Sequence, residues 1–172
     1  MVIISVAIDA QGPGKVGQYV EKFGVTFPTL IDEYNTLSRI FGFKAVPNGL
    51  FIDEDGRLVY AQFGGFDIRN ADFKTILDSW VVSRSLNKLV QKPPPQILKV
   101  SHDKATDLFH DGMKLYEEGH ISDALAYWRE ALHFEPDNYV IRKQIWAIEN
   151  PEKFYQGEVD YTWQKDQINK GI

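Results

Sequence analysis

Apolar positions change rhythm along this chain. Val2 to Ile8 is a short, nearly continuous apolar run rich in β-branched residues. It predicts a strand buried on both faces, as in a parallel sheet. After a Gly12-Pro13-Gly14 turn, Val16, Tyr19, Val20 and Phe23 recur at helical spacing, and Gly24 ends that helix. Thr26 to Ile31 reads as a short extended piece. Tyr34, Leu37, Ile40 and Phe41 make a second helix closed by Gly42. Leu50-Phe51-Ile52 and Leu58 to Phe63 are strands flanking Asp53-Glu54-Asp55-Gly56, a hairpin turn. Asn70 or Asp72 caps a long helix with Phe73, Ile76, Leu77, Trp80 and Val81 on one face. The predicted order is β-α-(short β)-α-β-β-α.

The second half is helical throughout. Ala105, Leu108, Gly112, Leu115, Gly119, Ala124, Trp128, Ala131 and Pro136 fall on a frame that resembles one tetratricopeptide repeat. Helix A spans 103–118, Gly119-His120 turns, and helix B spans 122–134. Gly112 and Ala124 are small, so the helices approach closely, and Leu115 and Trp128 fill the space around the crossing. Asp111 stands where the repeat usually has an apolar residue. Ile141, Ile145 and Ile148 form the stripe of a third helix that ends at Asn150-Pro151. A lone repeat cannot bury its own apolar face, so this helix, or the first segment, must cover it. Leu108, Gly112, Leu115, Ala124 and Trp128 are the candidate residues for a peptide or subunit at the repeat. The tail from Glu152 holds Phe154, Tyr155, Tyr161 and Trp163 among charges and is expected to pack back through its aromatics.

Charge and composition narrow the function classes. The 172 residues carry a net charge of −5 and are 44% hydrophobic, enough for a core and against global disorder. Residues 1–92 hold 10 basic and 10 acidic side chains, whereas 93–172 hold 9 and 14. The break falls at Lys92-Pro93-Pro94-Pro95, which cannot continue a helix. Expected units are therefore 1–82, a helix end and Pro-rich linker at 83–97, the helical segment at 98–150, and a tail at 151–172. The acidic balance argues against a nucleic-acid partner. No apolar run approaches the ~20 residues of a membrane span. Residues 1–8 lack a basic leader and a small-residue cleavage site, so they do not read as a signal peptide. The default expectation is a cytoplasmic protein.

The first segment resembles a family. The strand ending at Asp9, then KFGVTFPTLID (22–32), FGFKAVPNGLFIDEDGRLV (41–59) and Gly64-Gly65, is similar to the thioredoxin-like redoxins over about residues 2–82. The ResA/TlpA and AhpC/TSA branch matches best. The run from Ile141 to Tyr155, followed by DYTWQKDQ, is similar to an extension of the ResA-like selenoprotein-type group. The resemblance implies a cis peptide bond at Val46-Pro47. It implies a substrate face formed by Val46, Pro47 and Asn48, where free backbone groups pair with an extended thiol substrate. Asn48 replaces the usual Thr. It further implies thiol–disulfide oxidoreductase or thiol-peroxidase-like antioxidant activity, with a thiol or disulfide protein or a small thiol as partner.

The family's redox pair is missing, because the chain contains no cysteine. Exchange needs a thiolate or selenolate, and no residue here supplies one. The expected fold is therefore an α/β, incomplete thioredoxin-like domain, without its first strand and redox-motif helix, followed by an all-α tetratricopeptide-like segment. The chain is expected to lack catalytic residues and to be inactive alone. In the family the missing strand lies between the strand at 2–8 and the strand at 50–53. Its absence leaves a gap and two unpaired edges, hence an expectation of self-association. One expectation that accounts for both the missing motif and the start is a recoded selenocysteine codon upstream of Met1. From another class, a redox-dead scaffold using its repeat for protein–protein contact is the alternative.

Other constellations carry less. Gly12-Pro13-Gly14-Lys15-Val16-Gly17 is literally G-x-G-x-x-G, with Asp32 placed as a ribose-binding acid might be. Yet Ala10 and Gln11 separate strand from glycine, and an antiparallel hairpin follows the single βαβ-like step. A P-loop fails at Asp9 and Val16. No cofactor is expected. His102, His110, His120 and His133 lack metal-ligand spacing and are expected at the surface or at helix ends. Asp53, Glu54 and Asp55 read as a solvated hairpin tip, and no metal site is expected. Lys15, Lys22 and Arg39 read as solvated.

Overall fold

The computed structural model describes residues 1–83 and 99–171 and is a mixed α/β protein. In the first segment, strand β1 (Ser5–Ala7) leads to helix α1 (Pro13–Lys22), β2 (Thr29–Ile31) and α2 (Thr36–Phe41). Then come β3 (Gly49–Ile52), β4 (Leu58–Gln62) and α3 (Ala71–Ser83). The second segment contains α4 (Lys99–Glu117), α5 (Ile121–Phe134), α6 (Tyr139–Glu149), a 3-10 turn at Pro151–Lys153, and α7 (Tyr161–Asn169). Most of the expected 83–97 linker, including Pro93 to Pro95, lies outside the described residues.

Local chemistry accounts for the element ends. Pro13 opens α1, where its missing N–H costs nothing. Asp32 accepts from the Thr36 and Leu37 amides at 2.7 and 2.8 Å and so satisfies the open end of α2. Gly42, at φ +71°, closes that helix in the left-handed region. The Asn70 side chain accepts from the Asp72 amide at 2.8 Å ahead of α3. Asp53 accepts from the Asp55 and Arg57 amides and tightens the hairpin, so the acidic tip is held by its own backbone.

The strands form two separate sheets. β1 pairs with β2 in parallel, Val6 opposite Leu30. β3 pairs with β4 antiparallel, Phe51 opposite Tyr60, with a register shift after Phe51. No ladder joins the two pairs among the described residues. The sequence expects residues 2–8 as one strand buried on both faces. Instead pairing covers 5–7, and Val2, Ile3 and Ile4 are exposed, Val2 by 80%. Their apolar pattern demands a cover that these residues do not receive.

The helical segment is well filled. α4 and α5 cross as a hairpin around Phe109, Met113 and Trp128, all fully buried. The Trp128 indole stacks on Phe109 at 5.2 Å and donates to the Phe109 carbonyl at 3.0 Å. A methyl group on Gly112 would lie 2.6 Å from Trp128 Cδ1 and 3.1 Å from the Ala124 carbonyl, so glycine sets the approach of the helices. Ile141 and Ile145 of α6 close the cluster. The tail returns through Phe154, which packs with Trp146 and Trp163, and then forms α7.

Candidate functional site

Val46, Pro47 and Asn48 form the loop into β3, and the Val46–Pro47 peptide bond is cis. The loop is pinned on both sides of the proline. Pro47 accepts from the Phe66 amide at 3.1 Å, and the Asn48 carboxamide accepts from the Gly64 amide at 2.7 Å. Asn48 thus spends its side-chain oxygen on the Gly64-Gly65 turn. Val46 and Pro47 are exposed, and Asn48 is half-buried.

Behind Asn48 opens a cleft of about 940 Å³. Met1 to Ile4 and Phe27 line one wall, residues 48–55 with β3 the other, and Leu77 and Trp80 of α3 also contribute. Phe51 stacks between Tyr60 and Trp80, so β3 is anchored to α3. β1 has no strand partner besides β2, and β3 none besides β4, among the described residues. Each strand therefore keeps one edge without a ladder. Ile52 is 57% exposed and Ile4 55%. The cleft thus joins exposed apolar side chains to strand edges without ladders among the described residues.

A second constellation joins the two segments. His102, at the start of α4, is buried with both ring nitrogens facing acceptors. Nε2 lies 2.9 Å from the Ser38 carbonyl and Nδ1 3.1 Å from Glu135 Oε2. Only the doubly protonated ring donates to both. The Glu135 hydrogen bond raises the His102 pKa above its ordinary value despite burial. Burial pushes Glu135 up, but bonds from His102, Asn138 and Lys44 outweigh it and hold the carboxyl at about 2. Lys44 also pairs with Asp137 at 3.0 Å. His102 stands in the first turn of α4, as the helix-end expectation has it, but it is buried between the two segments rather than at the surface. One signal lay in the sequence. His102, Ala105, Phe109 and Met113 share one helical face, and that face is buried.

The glycine-rich turn is occupied by a different task. The Glu33 carboxylate lies 3.2 Å from where a side chain on Gly12 would begin and would repel a pyrophosphate there. The preceding residues dock the helical segment. Gln144 of α6 accepts from the Ala10 amide at 2.8 Å and donates to the Ile8 carbonyl at 3.3 Å. Tyr155 donates to Asp9 at 2.9 Å and accepts from the Gln11 side chain at 3.0 Å. Burial raises the Asp9 pKa, and burial together with Asp9 raises that of Tyr155.

At the helical repeat, Gly112, Ala124 and Trp128 lie inside the crossing, whereas Leu108 and Leu115 are half-buried. A ligand on that face would touch the two leucines rather than the other three. Lys22 and Arg39 are exposed, as their solvated reading expects, and each makes a surface ion pair, Lys22 with Glu158 at 2.7 Å and Arg39 with Asp107 at 2.8 Å. No described helix is long and apolar enough to cross a membrane. Searches of protein-family models, curated proteins and solved structures find no match to this chain.

Proposed function

We propose that this chain is the C-terminal part of a thioredoxin-like thiol–disulfide oxidoreductase or thiol-peroxidase-like antioxidant protein. A strand and a redox-motif helix supplied from outside these 172 residues complete its sheet. The single observation that carries this reading is the 940 Å³ cleft between two two-stranded sheets, walled by an apolar run patterned for burial yet exposed. A strand inserted there gains ladder hydrogen bonds and covers Ile3, Ile4 and Ile52. Its far end would meet Asn48 and the Val46-Pro47 loop. Val46 makes no backbone hydrogen bond among the described residues, leaving its amide and carbonyl for an extended substrate.

The nucleophile must come with the inserted segment, since the chain has no cysteine. These 172 residues alone should therefore show no turnover in an insulin-reduction or peroxide-consumption assay. Reading the coding DNA upstream of Met1 supplies the decisive test. An in-frame strand followed by a Cys or selenocysteine loop is expected there. Its absence favours instead a redox-dead scaffold acting through protein contact.

A further inference from the structure

A smaller cleft, of about 290 Å³, opens on the other side of the Val46 loop, between that loop and helices α6 and α7. Its position follows from a backbone bond: the Val140 amide donates to the Lys44 carbonyl at 3.1 Å, which fixes the first turn of α6 against the chain leading into Val46. The wall from α6 is Tyr139, Val140 and Lys143. The wall from α7 is Tyr161, Gln164, Lys165 and Ile168, spaced three, four and seven residues apart and so on one helical face. Asp160, which accepts from the Trp163 amide at 2.8 Å, caps α7 and sets the direction of that face.

The chemistry of this lining differs from the rest of the molecule. In a chain of net charge −5, none of the residues around the cleft is acidic. Val140 is buried at its floor, and Val46 and Ile168, both partly exposed, give it apolar sides. Lys143 is half-buried and has no ion-pair partner among the described residues. Burial alone lowers its pKa, with no carboxylate opposing the shift. Lys165 is likewise without an ion pair among the described residues. Gln164 is 4% exposed, and its carboxamide makes no hydrogen bond among the described residues. A half-buried ammonium without a counter-ion is costly in an apolar surrounding, and the unpaired Gln164 amide still reaches the cleft. A bound anion removes the cost at Lys143 and can accept from the Gln164 amide.

We infer that the cleft formed by the Val46 loop, α6 and α7 binds a small organic carboxylate. Its charged group lies between the Lys143 and Lys165 ammonium groups and within reach of the Gln164 amide. Its apolar body rests on Val46, Val140 and Ile168. The volume lies at the lower limit of ligand pockets, about 300–1,000 Å³, and suits one small molecule rather than a folded partner. Charge complementarity selects a carboxylate over a neutral or cationic ligand. The site does not depend on any redox chemistry: of its lining residues only Val46 also belongs to the proposed substrate loop, and here it contributes an apolar side chain.

The test titrates the 172-residue chain with 3-phenylpropanoate and, separately, with 3-phenylpropanamide, in low-salt buffer at pH 7, read by calorimetry and by backbone amide NMR shifts. The two probes share an apolar body and differ in the charge. Saturable binding of the carboxylate is expected, with shifts at Val46, Val140 and Gln164 and about tenfold weaker binding of the amide, the order of one charge-assisted hydrogen bond. The K143Q/K165Q double variant should lose that preference, while K143R/K165R retains it and K170Q, on an exposed residue beyond the cleft, leaves it unchanged. Raised salt should weaken the carboxylate alone. Equal binding of acid and amide, no saturable binding of the acid, or a preference surviving in K143Q/K165Q overturns the inference. Circular dichroism of each variant establishes that it is folded before titration.

Discussion

The two segments solve the burial problem unequally. Apart from Ser38, the large side chains that are fully buried belong to the helical segment: Trp128, Phe109, Met113, Ile141, Glu135 and Asn138. The α/β segment has comparable apolar patterning but leaves Val2, Ile3, Ile4, Leu30, Ile52 and Leu58 between 45% and 80% exposed. The difference is architectural rather than compositional. A helical hairpin satisfies its backbone internally, and one further helix, α6, closes its face. A strand needs a neighbour on each side, and β1 and β3 each have a ladder on one side among the described residues. The helical segment also serves the other, since Gln144 bonds the backbone at Ile8 and Ala10 and the Val140 amide donates to the Lys44 carbonyl.

The largest effect that separates the segments is expected at Trp128. Trp128→Ala removes the centre of the α4–α5 crossing and should cost about 4 kcal/mol in urea unfolding. Trp80→Ala, beside the open cleft, should cost about half as much. Equal costs would erase the contrast. Next comes the junction. Glu135→Ala leaves His102 and Lys44 without their buried carboxylate and should cost about 3 kcal/mol.

The junction also carries a pH signature. The raised His102 pKa gives stability that is full below about 6.5, its unfolded value, and is lost as pH climbs through the folded value. The Glu135 value of about 2 gives stability that is full above 4.5 and is lost as pH falls towards 2. The junction is therefore strongest between roughly pH 4.5 and 6.5. Melting temperature followed from pH 5 to 9 should fall more steeply in the wild type than in His102→Gln; parallel profiles would remove His102 from the account. Smaller again is Gly112→Ala, whose methyl group meets the Trp128 ring. It should cost about 2 kcal/mol by overpacking, where the same change on an exposed helical face would stabilise.

Much of this was legible in the sequence where a single element decides its own fate. The period-2 and period-3.6 patterns with their glycine stops locate the hairpin around Asp53 to Gly56, the α4–α5 crossing at Gly112 and Ala124, and the Ile141–Ile145 stripe. Helix α7 was not legible as a helix. Its face towards the 290 Å³ cleft, Tyr161, Gln164, Lys165 and Ile168, is too polar for an apolar stripe, and its packing depends on Trp163 meeting Trp146 and Phe154. His102 escaped for the same reason: its partners Ser38 and Glu135 lie 64 and 33 residues away. The cis-proline loop was legible as a motif. The 290 Å³ cleft beside it was not, because its walls come from three separate stretches of chain.

The smallest expected effect tests the open side of the comparison most directly. Replacing Ile3 and Ile4 with serine would cost several kcal/mol in a finished core. Here both side chains are more than half exposed, so the double variant should shift the unfolding free energy of the 172-residue chain by less than about 0.5 kcal/mol. Solution behaviour should change more than stability. Exposed apolar residues beside strand edges without ladders promote edge-to-edge association, and polar replacements weaken it. Light scattering across a concentration series should show the wild type associating and the serine variant staying closer to monomer. A large loss of stability instead would mean that Ile3 and Ile4 are covered in solution, so the cleft closes without an added strand. Unchanged scattering with unchanged stability would place the contact between copies elsewhere, and the edges of β1 and β3 would then no longer explain association. Adding the strand proposed for the cleft to the same chain should reverse the result, because the serine pair would then be buried and its cost would rise to that of a core substitution.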